Sequence, residues 1–230
     1  MRRYLPRSYL ERFLDQEARG EEAGTVWVHR PAIGMFQRAP LEPDGVGRHF
    51  NEVDEPALQK NDDLEQRLAR VDPDAARLID QALPEHAPLA SKDRGTLANW
   101  FSLLGVRLSS KFGLLPEAEA GRGADELAAS LRDMGWVFWE AEPEDYFVSS
   151  SGPFRVAFPG DDAHVQEMGL LAPGIEITLP LSPRLALHAT WKRRGEVWRR
   201  ATEDVLLELN ARTIQGARRF VLSPRPAIPG

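Results

Sequence analysis

Trp136-Val137-Phe138-Trp139, the four residues after Gly135, mark the point at which the periodicity of the chain changes from helical to extended. Before Gly135, apolar residues recur every three to four positions, as they do along one face of a helix. After it, short aromatic and β-branched runs are bounded by Pro, Gly, Asp or Ser, a pattern typical of strands. Because side chains alternate across a strand, either Trp136 with Phe138 or Val137 with Trp139 must face the helices.

The first part of the chain predicts a hairpin followed by helices. We expect a short amphipathic helix after Pro6, a hairpin formed by 25–29 and 35–38, and a loop at 40–61. Three helices follow: one with an apolar face from Leu64 to Ala82, one that begins near Ser91, and one from Ala124 to Met134. Pro73 removes a backbone donor from the first of these, so we expect a kink or a restart there, with Asp72 as the N-cap.

The part after Gly135 predicts a sheet closed by a helix and a strand. We expect strands at 136–139, 146–148, 154–158, 176–179 and 185–188, a helix over 205–214 capped by Thr202, and a last strand at 220–222. The fold class is therefore α+β: an N-terminal hairpin, central helices, an antiparallel or mixed sheet, and a C-terminal helix and strand. The length of 230 residues predicts a single domain over 1–230.

Composition places the chain among globular proteins. Hydrophobic residues make up 42 % and charged residues 28 % of it, and cysteine is absent, which excludes disulfides, thiolate metal sites and cysteine nucleophiles. No apolar stretch reaches the roughly 18 to 20 residues of a membrane helix. Arg7, Glu11 and Arg12 interrupt the region where a secretory signal would be apolar. We therefore expect a cytoplasmic protein without a membrane partner.

Motifs for cofactors and metals are missing from the sequence. The five histidines have no pair at metal-ligand spacing, and the Gly-x-x-x-x-Gly-Lys and Gly-x-Ser-x-Gly loops are absent. We therefore expect no metal and no cofactor. Ser149-Ser150-Ser151-Gly152-Pro153 follows a predicted strand, and its hydroxyls have two interpretations: hydrogen bonds within a turn, or a nucleophile.

Positive charge is concentrated towards the C-terminal end of the sequence. The net charge is −6, yet residues 184–230 hold ten Lys or Arg against four Asp or Glu. Trp191-Lys192-Arg193-Arg194 and Trp198-Arg199-Arg200 interleave rings with cations, a combination that binds RNA or single-stranded DNA through phosphates and stacked bases. The alternatives are a solvated surface whose cations pair with the acidic remainder of the chain, and tryptophans that belong to the core.

Two carboxylates have the spacing of one helix side. Glu65 and Asp72 are seven residues apart, about two helical turns, at the edge of the stripe that begins at Leu64. One interpretation is that they are charges flanking the apolar face. The other is a metal-binding or acid/base pair.

Ordered motifs over nearly the whole chain resemble a bacterial and phage-associated family of unknown function, the one numbered 4238. The opening Arg2-Arg3-Tyr4-Leu5-Pro6, followed by Tyr9, is similar to the His-His-Tyr-Val-Pro start of that family. Other similar segments are 26–30, 49–51, 101–107, 147–153, 179–183, 209–210 and 219–223. Glu65 and Asp72 fall where the family's first long helix carries paired acids.

The resemblance implies one domain in which the opening segment, the serine turn and the 179–183 turn come together at the sheet ends. It implies no established activity. The binding candidates that belong to these segments are Arg3, Tyr4, Tyr9, Ser150 and Ser151. Arg3 stands where the family has a histidine, and Ser151 where it has an aspartate. Either this chain is a degenerate member that has lost an imidazole and an anionic ligand, or those positions do no chemistry in the family.

Two functions are consistent with the sequence. The first is a non-catalytic or weakly catalytic interaction domain that binds nucleic acid or a partner protein, with basic contacts from Lys192, Arg193, Arg194, Arg199 and Arg200. The alternative is a hydrolase, such as a nuclease in phage conflict, with Glu65, Asp72 and Arg107 as its polar residues; the phage setting comes from the resemblance. The two differ in whether the acids and Arg107 converge in one pocket or spread over a solvated face.

Overall fold

The computed structural model describes residues 5–30, 34–42, 45–46, 62–111, 117–157 and 174–229. Within these ranges the chain forms two β-sheets and five α-helices, which confirms the predicted α+β class. The helices are α1 (Arg7–Glu11), α2 (Asp62–Arg77), α3 (Ser91–Lys111), α4 (Glu117–Asp133) and α5 (Glu203–Gln215). A π-helical turn, Leu78–Ala82, and a 3-10 turn, Leu83–Glu85, extend α2, and another 3-10 turn spans Gly20–Glu22.

Helix boundaries agree with the local signals in most places. α3 begins at Ser91 as expected, and Thr202 caps α5 by accepting a hydrogen bond from the backbone N–H of Val205. α4 ends before Gly135, as predicted, but begins at Glu117, earlier than the expected Ala124. None of the helices in the described ranges has both the length and the apolar character that crossing a bilayer requires.

The expected restart at Pro73 is wrong. α2 continues through this proline, whose ring lies on the exposed side of the helix. Leu68 before the proline and Ala75 after it are both buried in the same core cluster, so packing on both sides offsets the one backbone hydrogen bond that is lost. Asp72 does not cap a new helix. Its carboxylate bonds to side chains of α1 and α3 instead.

Ten strands in the described ranges form the two sheets. In chain order they are β1 (Thr25–Arg30), β2 (Met35–Glu42), β3 (Gly45–Val46), β4 (Gly135–Glu140), β5 (Ser149–Ser150), β6 (Arg155–Ala157), β7 (Glu176–Ser182), β8 (Leu185–Thr190), β9 (Glu196–Arg200) and β10 (Val221–Ser223). The first sheet has the order β3-β2-β1-β10-β5 and is antiparallel throughout. It contains the predicted hairpin, β1 with β2. β10, which lies near the C-terminal end of the chain, pairs with β1 of that hairpin.

The second sheet has the order β6-β7-β8-β4-β9 and is mixed, because only β9 runs parallel to its neighbour, β4. β9 was not expected as a strand.

One predicted loop and one predicted strand are also wrong. β3 lies inside the region 40–61 that was expected to be a loop; residues 47–61 lie outside the described residues.

The predicted strand at 146–148 is absent. The backbone N–H of Val148 donates to Asn210 Oδ1 at 2.9 Å, and Asn210 Nδ2 donates to the carbonyl of Tyr146 at 3.1 Å. One side-chain amide of α5 thus takes the backbone groups that a neighbouring strand would otherwise pair. Strand pairing begins only at Ser149.

The two faces of β4 separate as the alternation predicts. Trp136 and Phe138 are buried in the main core with Trp100 and Phe101 of α3, and the rings of Phe101 and Trp136 meet edge to face at 5.5 Å. Trp139 packs on the opposite face, in a smaller cluster under α5. The core face of the second sheet is therefore covered by α3 and α4, and α5 covers only part of the outer face.

Candidate functional site

Tyr9 joins the three segments that the family resemblance brings together. It is fully buried, its hydroxyl donates to the carbonyl of Pro180 at 2.9 Å, and its oxygen lies 2.7 Å from Ser149 Oγ. Burial raises the pKa of the Tyr9 phenol, so the group stays neutral. Because the ring is enclosed, Tyr9 connects α1, β5 and β7 and offers no surface to a ligand.

The serine turn also serves the fold. Ser149, Ser150 and Ser151 are fully buried. Ser150 Oγ accepts from the backbone N–H of Gly152 at 3.2 Å, and Ser151 Oγ accepts from those of Arg218 and Arg219 at 3.0 and 2.9 Å. These contacts fix the connection between α5 and β10. They agree with the interpretation in which the serine hydroxyls form hydrogen bonds in a turn. Arg3 and Tyr4 lie outside the described residues.

The paired acids of α2 have separate partners. Glu65 Oε1 accepts from Arg107 Nε at 2.7 Å, and only 6 % of the Arg107 side chain is exposed. Asp72 accepts from Ser8 Oγ at 2.8 Å and from Trp100 Nε1 at 2.7 Å. Neither acid lines either of the two cavities described below. Across the described ranges no group of three or more His, Asp or Glu side chains is arranged to hold a metal ion.

A cavity of about 540 Å³ lies between the segment after α1, the π-helical turn and the ends of β4 and β7. Its charged groups largely satisfy one another. Arg12 forms two hydrogen bonds to Asp80, at 2.6 and 3.2 Å, and His86 Nε2 lies 2.8 Å from Glu140 Oε1. Arg225 donates to the backbone carbonyl of Glu144. Arg12 Nη1 is buried without a hydrogen-bond partner in the described residues, so this cavity offers one unpaired donor rather than a group of them.

The basic surface, defined as Lys192, Arg193, Arg194, Arg199 and Arg200, lies on the turn after β8 and on β9. A close backbone approach positions it: a Cβ at Gly135 would lie 2.5 Å from the carbonyl carbon of Arg193, so only glycine fits there. Trp136 N–H donates to the carbonyl of Gly195 at 2.8 Å, which ties the same turn to β4.

The cations of the basic surface differ in their pairing. Lys192 Nζ lies 3.1 Å from Glu176, and Arg200 lies 3.7 Å from Glu142. Arg193, Arg194 and Arg199 are exposed and have no carboxylate within ion-pair distance in the described part of the chain. Pairing with the acidic remainder of the chain therefore does not account for these three arginines.

The tryptophans beside these cations belong to the core. Trp198 stacks on Phe138 at 5.1 Å and on His86 at 5.6 Å, and its Nε1 donates to the carbonyl of Leu83. Trp191 is partly buried against the same core. The surface thus presents cations without presenting the flat ring faces on which unpaired bases stack.

A pocket of about 200 Å³ opens among three members of the basic surface. It is lined by Val137, Trp139, Glu176, His188, Thr190, Lys192, Arg193 and Arg199. The strand register explains this grouping, because Val137 lies opposite His188 and Trp139 lies opposite Arg199, which puts these side chains on the outer face of the second sheet.

Among the described residues, Glu176 is the only carboxylate that lines this pocket, and it is buried. His188 Nε2 lies 3.4 Å from its Oε2, Lys192 Nζ 3.1 Å from Oε1, and Arg212 Nη2 3.0 Å from Oε2. His188 makes the largest contribution, with Lys192 and Arg212, to holding the pKa of Glu176 far below its ordinary range. Glu176 therefore stays ionised and organises three nitrogen-bearing side chains around it.

Four buried polar atoms on this side of the sheet make no hydrogen bond among the described residues: Trp139 Nε1, Thr178 Oγ1, His188 Nε2 and Arg212 Nη1. For His188 Nε2 the 3.4 Å contact to Glu176 is an ion-pair distance without a hydrogen bond. Trp139 and His188 line the pocket, Thr178 lies opposite His188 on the neighbouring strand, and Arg212 contacts Glu176. Buried polar atoms are normally paired, so a concentration of unpaired ones indicates a place where a further polar group binds.

Sequence reasoning identified Lys192, Arg193 and Arg199 but missed Glu176, His188 and Arg212. These three lie on β7, β8 and α5, far apart in the sequence. A local signal did exist: Glu176 and Thr178 are polar residues at alternate positions of an otherwise apolar strand, and His188 repeats the pattern in β8. Such alternation places polar groups on one face of a sheet.

Comparison with known proteins gives no match: no protein-family model, curated protein or solved structure matches the chain. Membership of the family numbered 4238 therefore stays a prediction from the motifs.

Proposed function

We propose that this chain is a bacterial cytoplasmic interaction protein that binds single-stranded nucleic acid through its phosphates. The observation that supports this most strongly is the group of three exposed arginines, Arg193, Arg194 and Arg199, which have no carboxylate partner in the described ranges. Cations that are free of internal ion pairs can neutralise phosphates and release condensed counterions.

Recognition of bases is not part of the proposal. Trp191 and Trp198 pack against the core, so neither ring is available to stack on unpaired bases. Contacts to phosphates alone carry no direct sequence information. We therefore expect RNA and single-stranded DNA of different sequences to bind with similar affinity.

Charge elsewhere in the chain limits binding to this surface. Residues 184–230 carry a net +6, which leaves −12 for residues 1–183. A polyanion is attracted to the basic surface and repelled by the acidic remainder. The alternative function, a hydrolase that uses Glu65, Asp72 and Arg107, has no comparable support, because Glu65 holds Arg107 and Asp72 holds Ser8 and Trp100.

The experiment is a fluorescence anisotropy titration of a labelled single-stranded RNA at several salt concentrations. Neutralising three phosphates predicts a slope of about −2 in log K against log salt. A triple variant, Arg193→Ala with Arg194→Ala and Arg199→Ala, should bind much more weakly and show a shallower slope. Undetectable binding by the folded wild-type protein at low and moderate salt would exclude the proposal.

A matched control separates the surface from net charge. Arg122 lies on α4, and 72 % of its side chain is exposed. Arg122→Ala, combined with Arg70→Ala and Arg132→Ala, removes three positive charges from exposed residues outside the basic surface. This control should bind RNA with an affinity close to that of the wild type. Equal loss in both triple variants would mean that the basic surface has no special role.

A further inference from the structure

We infer that the 200 Å³ pocket beneath the basic surface is a binding site for a single phosphate group, such as the terminal phosphate of a nucleic-acid strand. When the ligand is the terminal phosphate of a strand, the inference rests on the proposed function and deepens it. A free phosphate ion or a small phosphate monoester presents the same chemistry, and the experiments below separate these sources.

The donors around the pocket exceed the acceptors. Trp139 lines the pocket, and its Nε1, which can only donate a hydrogen bond, is buried without a partner in the described residues. Arg193 and Arg199 line the pocket without a carboxylate of their own. A ligand that satisfies this set must supply several acceptor oxygens.

Charge indicates an anion rather than a neutral acceptor. Lys192, Arg193 and Arg199 line the pocket and contribute three positive charges, whereas Arg212, which bonds to Glu176, does not line it. Glu176 contributes one negative charge from a lining side chain, and Glu208, which pairs with Arg212, is 57 % exposed. The balance remains positive. Charge-assisted hydrogen bonds from guanidinium groups to phosphate oxygens are among the strongest that proteins make.

Size selects a single small group. Pockets for drug-sized molecules occupy roughly 300 to 1,000 Å³, so a pocket of about 200 Å³ holds one phosphate with little else. A phosphate inside a strand continues into a sugar on both sides, and a pocket this small has no room for both. A terminal phosphate has only one substituent, which can extend outward from the pocket.

The buried carboxylate has a positioning role in this arrangement. Glu176 bonds to Lys192 and Arg212 at 3.1 and 3.0 Å and fixes both cations on one face of the sheet. It occupies only part of their donors, because an ammonium carries three N–H groups and a guanidinium five. The remaining donors of Lys192, which lines the pocket, are thus held in place before a ligand arrives, and this lowers the entropic cost of binding.

The first experiment measures inorganic phosphate binding by isothermal titration calorimetry, with chloride at equal ionic strength as the reference. The wild type should bind phosphate, and Arg199→Ala should weaken binding by at least about tenfold, as loss of a charge-assisted hydrogen bond predicts. Arg132→Ala is the matched control, because Arg132 is an exposed arginine of α4 that lies outside the basic surface and does not line the pocket. It should keep affinity within about twofold.

His188→Asn provides a second, independent variant that leaves every cation of the basic surface in place. It should also weaken phosphate binding, and thermal melting should show that each variant is folded. No phosphate binding by the wild type overturns the inference. Equal weakening by Arg132→Ala and Arg199→Ala overturns it as well, because it would show attraction to net charge only.

The second experiment compares one RNA sequence with a terminal phosphate and with a terminal hydroxyl, at each end in turn. Preference for a phosphorylated end that disappears in Arg199→Ala supports the strand-end form. Phosphate binding with no such preference assigns the pocket to a free phosphate or small monoester and removes the strand-end form. Salt-dependent RNA binding with neither phosphate binding nor end preference keeps the proposed function and overturns the inference. Phosphate binding without any RNA binding keeps the inference in its small-ligand form and overturns the proposed function.

Discussion

Tyr9 and Ser149 lie 140 residues apart in the sequence, yet their side-chain oxygens are 2.7 Å apart in the buried core. The same tyrosine hydroxyl donates to the carbonyl of Pro180, so one side chain holds α1 against a strand of each sheet. Tyr9→Phe should lower the free energy of unfolding by about 1 to 2 kcal/mol, because it leaves buried polar groups without their partner. Chemical denaturation measures this directly.

A double-mutant cycle with Ser149→Ala tests whether the two residues act through this contact. Residues in one buried hydrogen-bond network show coupling energies of about 0.5 to 3 kcal/mol. Strictly additive effects would show that the Tyr9–Ser149 contact contributes nothing of its own.

Asp72→Ala should destabilise the protein by about 2 to 3 kcal/mol, because Ser8 Oγ and Trp100 Nε1 both lose a charged acceptor. Asp74→Ala removes the same charge from an exposed position on the same helix and should change stability by less than about 0.5 kcal/mol. A nuclease assay with magnesium or manganese completes the test. Asp72→Ala with wild-type melting and lost cleavage would establish the hydrolase instead.

Glu65→Ala should also lower the melting temperature. It removes the carboxylate that bonds to Arg107 Nε, and the Arg107 side chain is almost entirely buried. The loss should be smaller than for Asp72, because 42 % of the Glu65 side chain is exposed and solvent screens the pair. Thermal melting of the two variants side by side tests this order, and a larger effect from Glu65→Ala would contradict it.

Features set by contacts within a few residues were predictable from the sequence. Thr202 caps α5 through a hydrogen bond that spans one turn, and the alternation around Trp136 identifies β4 without reference to its neighbours. β9 was not predicted because it is a charged edge strand. A run of charged residues is typical of a loop as well as of the edge of a sheet. Its partner β4 supplies the pairing from sixty residues upstream, which no local pattern reports.

The candidate site was predictable only in part for a related reason. The exposed cations form two short runs that stand out in the sequence, whereas Glu176, His188 and Arg212 meet only after β7, β8 and α5 have packed together. Each of these residues alone is an ordinary polar residue on an element. Their shared environment is a property of tertiary structure, so only the basic half of the site could be inferred from the chain.

Glu176 should give the protein a distinctive acid response. Its folded pKa is lowered, so its stabilising contribution is fully present above the ordinary value of 4.5 and is lost as pH falls through and below that value. Glu176→Gln should therefore be less stable than the wild type at neutral pH, and the difference should shrink as pH falls below 4.5. Urea unfolding between pH 7 and pH 3 measures it. Glu126→Gln, an exposed control on α4, should show a small difference at every pH. A difference for Glu176→Gln that stays constant with pH would contradict the assigned ion pairs.

Gly135 is predicted to be indispensable for placing the basic surface, because the turn that carries Arg193 passes directly over it. A Cβ at this position would lie 2.5 Å from the Arg193 carbonyl carbon and 2.7 Å from its oxygen, so the backbone of the turn must move to admit a methyl group. Overpacking of this kind typically costs about 1 to 3 kcal/mol. Gly135→Ala should therefore lower stability and, by displacing Arg193 and Lys192, weaken binding of phosphate and of single-stranded RNA.

Gly95→Ala is the matched control. Gly95 lies within α3, a Cβ there meets no atom within 4 Å, and alanine should stabilise the helix by up to about 1 kcal/mol. Chemical denaturation measures the stability of the two variants, and fluorescence anisotropy measures their RNA binding. Gly135→Ala with wild-type stability and affinity would show that the close approach of Gly135 to Arg193 does not position the basic surface.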